Sequence, residues 1–162
     1  MKTTTIQLVA SPSSTSPLMP CHATPLHIVA ADHPSLDRDV ESFLEQLLLE
    51  RTSLSLAVSE RGGFRLAVIE CGRVVGLARI DGVGELHLAV ATEHRGLGIG
   101  TMLGRAALER AIALEYSRVS LRTTRRSRAA RQVGESLGCI VVENARGRTD
   151  MIAHLPTRLR SA

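Results

Sequence analysis

The pattern of apolar and polar positions along the chain predicts a mixed α/β protein. Residues 1–24 are rich in Ser, Thr and Pro and show no periodicity, which is typical of a flexible leader. From residue 25 onward, apolar residues occur either in short runs, as in strands, or every three to four positions, as in amphipathic helices. We therefore expect a leader over 1–24 and a single domain over 25–162, a length that suits one domain.

The predicted elements follow the order β-α-β-β-β-α-β-α-β-β. The pair Cys71-Gly72 separates two β-type runs and predicts a hairpin, and Gly138 predicts the end of the last helix. In chain order, we expect a strand over 26–31, a helix near 36–50, strands over 64–70, 73–80 and 85–90, a long helix after residue 100, a strand over 118–123, a short helix, and strands over 140–143 and 151–154.

Composition excludes several classes of protein. The three cysteines, Cys21, Cys71 and Cys139, are odd in number and widely spaced, which argues against a disulfide framework or a zinc knuckle. The six histidines show no pair at ligand spacing, so we expect no metal site. No apolar run approaches the roughly 20 residues that span a bilayer. We therefore expect a cytoplasmic protein with no membrane partner.

The segment with the clearest chemistry is the glycine-rich stretch Arg95–Thr101, which joins a predicted strand to the long helix. Glycines permit backbone conformations that other residues avoid, and free N–H groups converge where a helix begins. Such a site suits a pyrophosphate, and Arg95 can add charge at its mouth. The spacing differs from the G-x-G-x-x-G of dinucleotide folds, and a Walker loop needs a Gly-Lys pair, whereas the only lysine is Lys2.

The arrangement Arg95-x-x-Gly98-x-Gly100, placed after a Leu-Ala-Val strand and before a long helix, resembles the acetyl-CoA motif of the GNAT N-acetyltransferase superfamily. The segment 135–139 (Glu-Ser-Leu-Gly-Cys) is similar to the E-x-L-G-F ending of that family, with Cys in place of the usual aromatic residue. The resemblance extends over about 64–154. It implies a GNAT-like mixed α/β fold, in which helices flank a splayed sheet.

The resemblance also implies a co-substrate, acetyl-CoA, and an amine acceptor on a small molecule or a protein lysine. Pantetheine would lie between the strands 85–90 and 118–123 and bond the backbone of Ala89 and Val90 like an added strand. A backbone N–H at a bulge near 88–90 would stabilise the oxyanion. The residues expected to contact CoA are Leu88, Ala89, Val90, Arg95, Gly96, Leu97, Gly98, Ile99, Gly100, Thr101, Ser127, Arg128 and Arg131.

The proton-transfer residues depart from the family pattern. Many GNAT enzymes carry a tyrosine four residues before the glycine of the L-G ending, and here that position is Gly134. The only tyrosine, Tyr116, ends the long helix and is not expected to be catalytic. Glu85 and His87 lie two positions apart on one face of a strand, and Glu85 matches a glutamate of similar Pat-type protein-lysine acetyltransferases. We expect Glu85 or His87 to be the base; water-mediated deprotonation and a structural ion pair of Glu85 are the alternatives.

Arginines crowd the region after the strand 118–123, and they leave several interpretations open. They can contact the 3′-phosphate of CoA, or they can form a solvated helix face. Recognition of RNA is disfavoured, because the chain holds one Tyr, two Phe and no Trp for stacking. The missing tyrosine supports a rival function, a non-catalytic acyl-CoA sensor or scaffold, and a homodimer remains open. The arginines are Arg122, Arg125, Arg126, Arg128 and Arg131.

Overall fold

The computed structural model describes residues 25–32, 34–49, 62–124, 127–143 and 148–156. Short 3-10 turns at Pro34–Leu36 and Thr92–His94 precede the first two α-helices. The order of the helices and strands in this part of the chain is the predicted one. The elements are β1 His27–Ala30, α1 Asp37–Leu49, β2 Gly63–Glu70, β3 Arg73–Asp81, β4 Leu86–Val90, α2 Ile99–Ala113, β5 Arg118–Thr124, α3 Arg128–Ser136, β6 Ile140–Glu143 and β7 Arg148–His154.

Some sequence predictions fall on residues outside the described ranges. The predicted leader over 1–24 is one, and Arg125 and Arg126 of the arginine cluster are others. The single domain over 25–162 stays a prediction. Among the helices in the described ranges, none combines the length and the apolar character needed to cross a bilayer.

The strands form two antiparallel sheets that meet at one point. The first sheet has the order β1-β2-β3-β4 and the second the order β5-β7-β6. The sheets meet at a parallel bridge between Glu85 and Ser120, where the Ser120 N–H donates to the Gly84 carbonyl at 2.9 Å. Within the described ranges no other bridge joins β4 to β5, so the two strands part beyond it. This is the splayed sheet that the family resemblance implied.

The hairpin between β2 and β3 forms where the sequence predicts it. Cys71 has φ 49° and Gly72 has φ 73°, and two successive residues with positive φ are typical of the tight turns whose twist matches that of the flanking strands. The hairpin places β3 in the centre of the first sheet, and eight of its nine residues are buried. β3 is therefore the strand about which the core is organised.

Helices cover both faces of the first sheet. α1 packs its buried residues, among them Phe43, against Ala67, Leu77 and Ala89, and we call this side the α1 face. α2 packs on the opposite side, where Gly76 permits a close approach: a Cβ at Gly76 would lie 2.9 Å from Leu103 Cδ1. This packing places the start of α2 beside the C-terminal end of β4.

β7 begins three residues earlier than expected. The sequence predicts a loop over 144–150, but the strand starts at Arg148 and pairs from there with β5, as Thr124↔Arg148, Thr123↔Thr149 and Arg122↔Asp150. Arg-Thr-Asp lacks the apolar alternation that marks a strand in a sequence. Its strand conformation depends instead on the pairing with β5, a long-range contact that a local pattern does not contain.

Candidate functional site

The turn between β4 and α2 leaves backbone N–H groups unpaired at the start of a helix. Gly98 is the N-cap of α2, with φ 81° and no side-chain capping bond. The first helical hydrogen bond is donated by the Met102 N–H to the Gly98 carbonyl at 3.0 Å. The N–H groups of Ile99, Gly100 and Thr101 therefore precede the hydrogen-bonded part of the helix, where an anion can accept from them.

The two glycines before α2 are required by backbone conformation and not by space. Gly96 has φ 79° and Gly98 has φ 81°, a region that residues with a Cβ rarely adopt. A Cβ at either position would meet no atom within 4 Å. The loop is thus open to solvent on the side of these glycines, and Leu97 between them is exposed.

Two side-chain contacts fix the turn that leads into this loop. The Arg95 Nε donates to the Val90 carbonyl at 3.0 Å, so the guanidinium lies over the end of β4. His94 Nε2 is 2.6 Å from Glu70 Oε2, which ties the turn to the end of β2. No local pattern predicts this His94–Glu70 contact, because the two residues are far apart in the chain and belong to different predicted elements.

The register of β4 decides which of its peptide groups face the gap beside β5. The Ala91 N–H donates to the Val75 carbonyl, and the Asp81 N–H donates to the Glu85 carbonyl. Since hydrogen-bonded positions alternate along an antiparallel pair, the peptide groups of Ala89 face β3, and those of Leu88 and Val90 face the gap. This corrects the expectation that pantetheine would bond the backbone of Ala89.

The bulge expected near 88–90 is not present in β4. Its pairing with β3 runs without interruption from Ile80↔Leu86 to Gly76↔Val90. The irregularity lies in β2 instead, between Val68 and Ile69. Because β4 is regular, alternate side chains lie on the same face, and Glu85 and His87 project from one face as predicted.

Three titratable side chains gather on the α1 face at the end of the sheet where the two sheets meet. Glu85 and His87 are joined there by Asp81 of β3, which is buried. Asp81 Oδ1 accepts from the Val83 N–H at 3.0 Å and from the Glu85 N–H at 2.8 Å. Asp81 Oδ2 lies 3.8 Å from His87 Nε2. Asp81 was not among the site residues predicted from the sequence, although Asp in a turn commonly accepts the backbone N–H two residues on.

Glu85 also has an ion-pair partner across the junction of the sheets. Arg122 NH1 lies 3.3 Å from Glu85 Oε2, and Arg122 Nε lies 3.4 Å from Asp150 Oδ1. The structure therefore contains a structural ion pair of Glu85, which was one of the alternatives to a catalytic base. The Arg122 side chain is 51% exposed, so water screens these pairs, and we ascribe to them orientation of Glu85 and not stability.

The donor atoms of Asp81, Glu85 and His87 all lie within 4.8 Å of one another, a spacing that a metal ion could bridge. Two of these groups already have partners, because Asp81 Oδ1 accepts two N–H groups and Glu85 pairs with Arg122. We assign no metal here, and the expected absence of a metal site stays a prediction.

The position of the missing tyrosine faces the protein core. Gly134 is buried on α3, and a Cβ there would lie 2.5 Å from Met151 Sδ and 3.4 Å from Leu121 Cδ2. Any side chain at this position would have to displace Met151. Tyr116, which was not expected to be catalytic, donates its hydroxyl to the Asp81 carbonyl at 3.3 Å, a contact that anchors the turn after β3.

The start of α3 carries the remaining predicted contacts. Ser127 is the N-cap residue, and its carbonyl accepts from the Arg131 N–H at 3.2 Å. Arg128 and Arg131 are exposed. α3 packs against α2 near the glycine-rich loop, where a Cβ at Gly100 would lie 3.5 Å from Val133 Cγ2. The roles of Ser127, Arg128 and Arg131 toward CoA stay predictions.

A gap between two diverging parallel strands, open at the glycine-rich start of a helix, defines the fold class of acyl-CoA N-acyltransferases. The sequence model of the Acetyltransferase (GNAT) family matches residues 26–139. This is more than half of the chain, and the chain belongs to the GNAT acetyltransferase family. No curated protein matches the sequence significantly.

Solved structures agree with this assignment at the level of the fold. An acetyltransferase of the GNAT family from Streptococcus pneumoniae has a TM-score of 0.71 and 21% identity, covering 81% of this chain and 99% of that one. A protein from Salmonella typhimurium, assigned as an acetyltransferase and solved with its cofactor acetyl-CoA, has a TM-score of 0.63 and 18% identity, covering 81% and 94%. The ribosomal-protein-S18-alanine N-acetyltransferase from Escherichia coli has a TM-score of 0.58 and 15% identity, covering 83% and 95%.

Proposed function

We propose that this protein is an acetyl-CoA-dependent N-acetyltransferase that moves the acetyl group to an amine by direct attack. The observation that carries the proposal is the gap between β4 and β5, which opens onto the unpaired N–H groups ahead of α2. The family membership supports acyl transfer from CoA. The acceptor is an amine of a small molecule or of a protein.

In this proposal the pyrophosphate of CoA binds the N–H groups of the segment 96–101, where the α2 dipole favours negative charge. Arg95 adds a positive charge beside them. Pantetheine enters the gap and bonds the peptide groups of Leu88 and Val90 that face it, in the manner of an added strand. Arg128 and Arg131, with Ser127 at the start of α3, are the proposed contacts for the 3′-phosphate.

The chemistry requires that an N–C bond forms while the C–S bond of the thioester breaks. The backbone N–H of Leu88, which faces the gap nearer the junction of the sheets, is the proposed donor to the oxyanion. Glu85 or His87 takes the proton from the amine, directly or through water. A thiolate whose conjugate acid has a pKa of about 8.5 can leave without a dedicated acid, so solvent protonates it in place of the absent tyrosine.

A non-catalytic acyl-CoA-binding module is the second candidate, and one observation favours it. Met151 occupies the space beside Gly134, so the described structure has no room for a tyrosine at the position where many family members carry one. Loss of general acid catalysis typically costs about 10²–10⁴-fold in rate. That cost separates a slow enzyme from a fast one and does not by itself abolish turnover.

Binding and turnover distinguish the two candidates. Calorimetry with acetyl-CoA and with free CoA measures binding, and release of the CoA thiol measures transfer to a panel of amines. The panel should hold small polyamines, lysine peptides and peptides with a free N-terminal alanine, because acceptors named for structural relatives include an alanine of a ribosomal protein and spermidine. Amine-dependent thiol release supports the enzyme, binding without release supports the module, and no binding contradicts both.

A further inference from the structure

Asp81 is a buried carboxylate whose two oxygens have different surroundings. Oδ1 accepts two backbone N–H groups, from Val83 and from Glu85. Oδ2 faces His87 Nε2 at 3.8 Å. The side chains are 9% exposed for Asp81 and 13% for His87, so water screens their interaction only weakly. Oδ1 is thus committed to the turn, and Oδ2 is the oxygen that can act on His87.

A carboxylate facing one nitrogen of a neutral imidazole determines which nitrogen carries the proton. A carboxylate accepts hydrogen bonds and cannot donate them, so it stabilises the tautomer with the proton on the nearer nitrogen. Here that nitrogen is Nε2, and the lone pair is then on Nδ1. At 3.8 Å the contact is longer than a direct hydrogen bond, but catalytic hydrogen bonds are commonly long before substrate binds and shorten in the complex.

The surroundings of the two candidate bases favour His87 in this role. Glu85 Oε2 is 3.3 Å from the Arg122 guanidinium, so one oxygen of this carboxylate already has a cationic partner. His87 has a carboxylate beside it instead. Arg79 lies opposite His87 in the β3–β4 register, on the same face, and it is buried.

We infer that Asp81 is a positioning residue that holds His87 in the Nε2–H tautomer, so that Nδ1 accepts the proton of the attacking amine. The inference rests on the proposed acetyl transfer and assigns the base within it. The proton passes from the amine to Nδ1, directly or through water, as the N–C bond forms and the thiolate leaves. His87 then returns the proton to solvent.

The substitution Asp81→Asn distinguishes the roles of the two carboxylate oxygens. The amide oxygen must replace Oδ1, because two N–H groups point at it, and the amide NH₂ then faces His87 Nε2. A donor at this position requires Nε2 to accept, which moves the ring proton to Nδ1 and removes the basic lone pair there. We expect Asp81→Asn to remain folded by circular dichroism, to keep its KM for acetyl-CoA, and to lose about 10²-fold or more in kcat.

A control for the same chemical change is available at Asp32, just after β1, on a carboxylate that is more exposed, at 51%. Asp32 also accepts a backbone N–H, from Arg65 at 3.1 Å, and pairs with its guanidinium at 3.6 Å. Asp32→Asn makes the same chemical change on a carboxylate that does not contact the Asp81–His87 pair. We expect this variant to retain wild-type kcat, which would show that the loss in Asp81→Asn is local.

The tautomer is measurable without any activity. Long-range ¹H–¹⁵N NMR spectra at mildly alkaline pH distinguish Nε2–H from Nδ1–H, and the His87→Gln variant assigns the resonances of His87. We expect Nε2–H in wild type and Nδ1–H in Asp81→Asn. The same tautomer in both proteins would overturn the inference, as would full activity of either His87→Gln or Asp81→Asn. If wild type transfers no acetyl group, the proposed function fails, while the spectra still decide whether Asp81 sets the tautomer.

Discussion

The role of the glycine-rich loop in binding CoA can be tested at two glycines that both have positive φ but lie in different parts of the fold. Gly98 precedes α2 with φ 81°, and Gly72 closes the β2–β3 hairpin with φ 73°. A Cβ at either residue would meet nothing within 4 Å. Valine at each position therefore introduces the same conformational strain, and only Gly98→Val introduces it where we propose that CoA binds.

The expected magnitudes follow from this comparison. A residue with a Cβ in the left-handed region costs roughly 1–2 kcal/mol, so both variants should lose about that much free energy of unfolding. In Gly98→Val the strain is relieved by rotating peptide groups away from the anion site. Loss of one charge-assisted hydrogen bond is worth about 1.5–3 kcal/mol, which raises the Kd for acetyl-CoA about 10- to 140-fold.

Calorimetry with acetyl-CoA and urea denaturation measure the two effects on the same preparations. Gly72→Val should show the loss of stability with an unchanged Kd. A wild-type Kd in Gly98→Val would refute the assignment of the loop as the pyrophosphate site. An equal loss of affinity in both variants would refute the reasoning that the effect is local.

Three further predictions concern packing, loop position and thiol reactivity. Gly134→Ala should lower the free energy of unfolding by up to about 2 kcal/mol, because its Cβ would lie 2.5 Å from Met151 Sδ and overpacking of about 1–3 kcal/mol exceeds the helix-propensity gain of about 1 kcal/mol. Urea denaturation measures this. Met151→Ala alone should cost about 2–5 kcal/mol, and the double variant should lose less than the sum of the two single losses. Glu70→Ala removes the contact that holds His94, so steady-state kinetics should show a higher KM for acetyl-CoA with kcat nearly unchanged; a fall in kcat alone would contradict a positioning role. Burial raises the pKa of the Cys139 thiol, so its thiolate fraction near neutral pH is smaller and iodoacetamide should modify it more slowly than a cysteine in a short peptide, as followed by mass spectrometry; equal rates would contradict this.

Local patterns were sufficient to predict the order of elements and the glycine-rich loop. The Cys71-Gly72 turn formed as predicted, because the conformations it needs are properties of those residues. The motif around Gly98 was recognisable for the same reason: a left-handed N-cap requires glycine. Glu85 and His87 share a face because alternation along a regular strand depends on the strand alone.

The features that the sequence did not reveal all depend on which strands are neighbours. The expected bond from pantetheine to the backbone of Ala89 was wrong, because the direction of a peptide group is fixed by the pairing of β4 with β3. The ion pairs of Arg122 required knowledge that β5 lies between β4 and β7. Asp81 joined the candidate site only because the β3–β4 turn folds it back toward His87.

Within the described ranges one bridge joins the two sheets, and this has a consequence for how ligand binding changes the stability of the protein. The Glu85–Ser120 bridge and the Arg122–Glu85 ion pair beside it join the two sheets at one end, and helix contacts, such as Gly104 of α2 against Leu137 of α3, also link the two halves. A molecule that bonds both edges of the gap would act as an additional strand and join the sheets into one. Its binding energy would then be folding energy: a ligand present at 100 times its Kd adds about 2.7 kcal/mol. The amide hydrogens of β5 and β7 should exchange more slowly when the gap is filled.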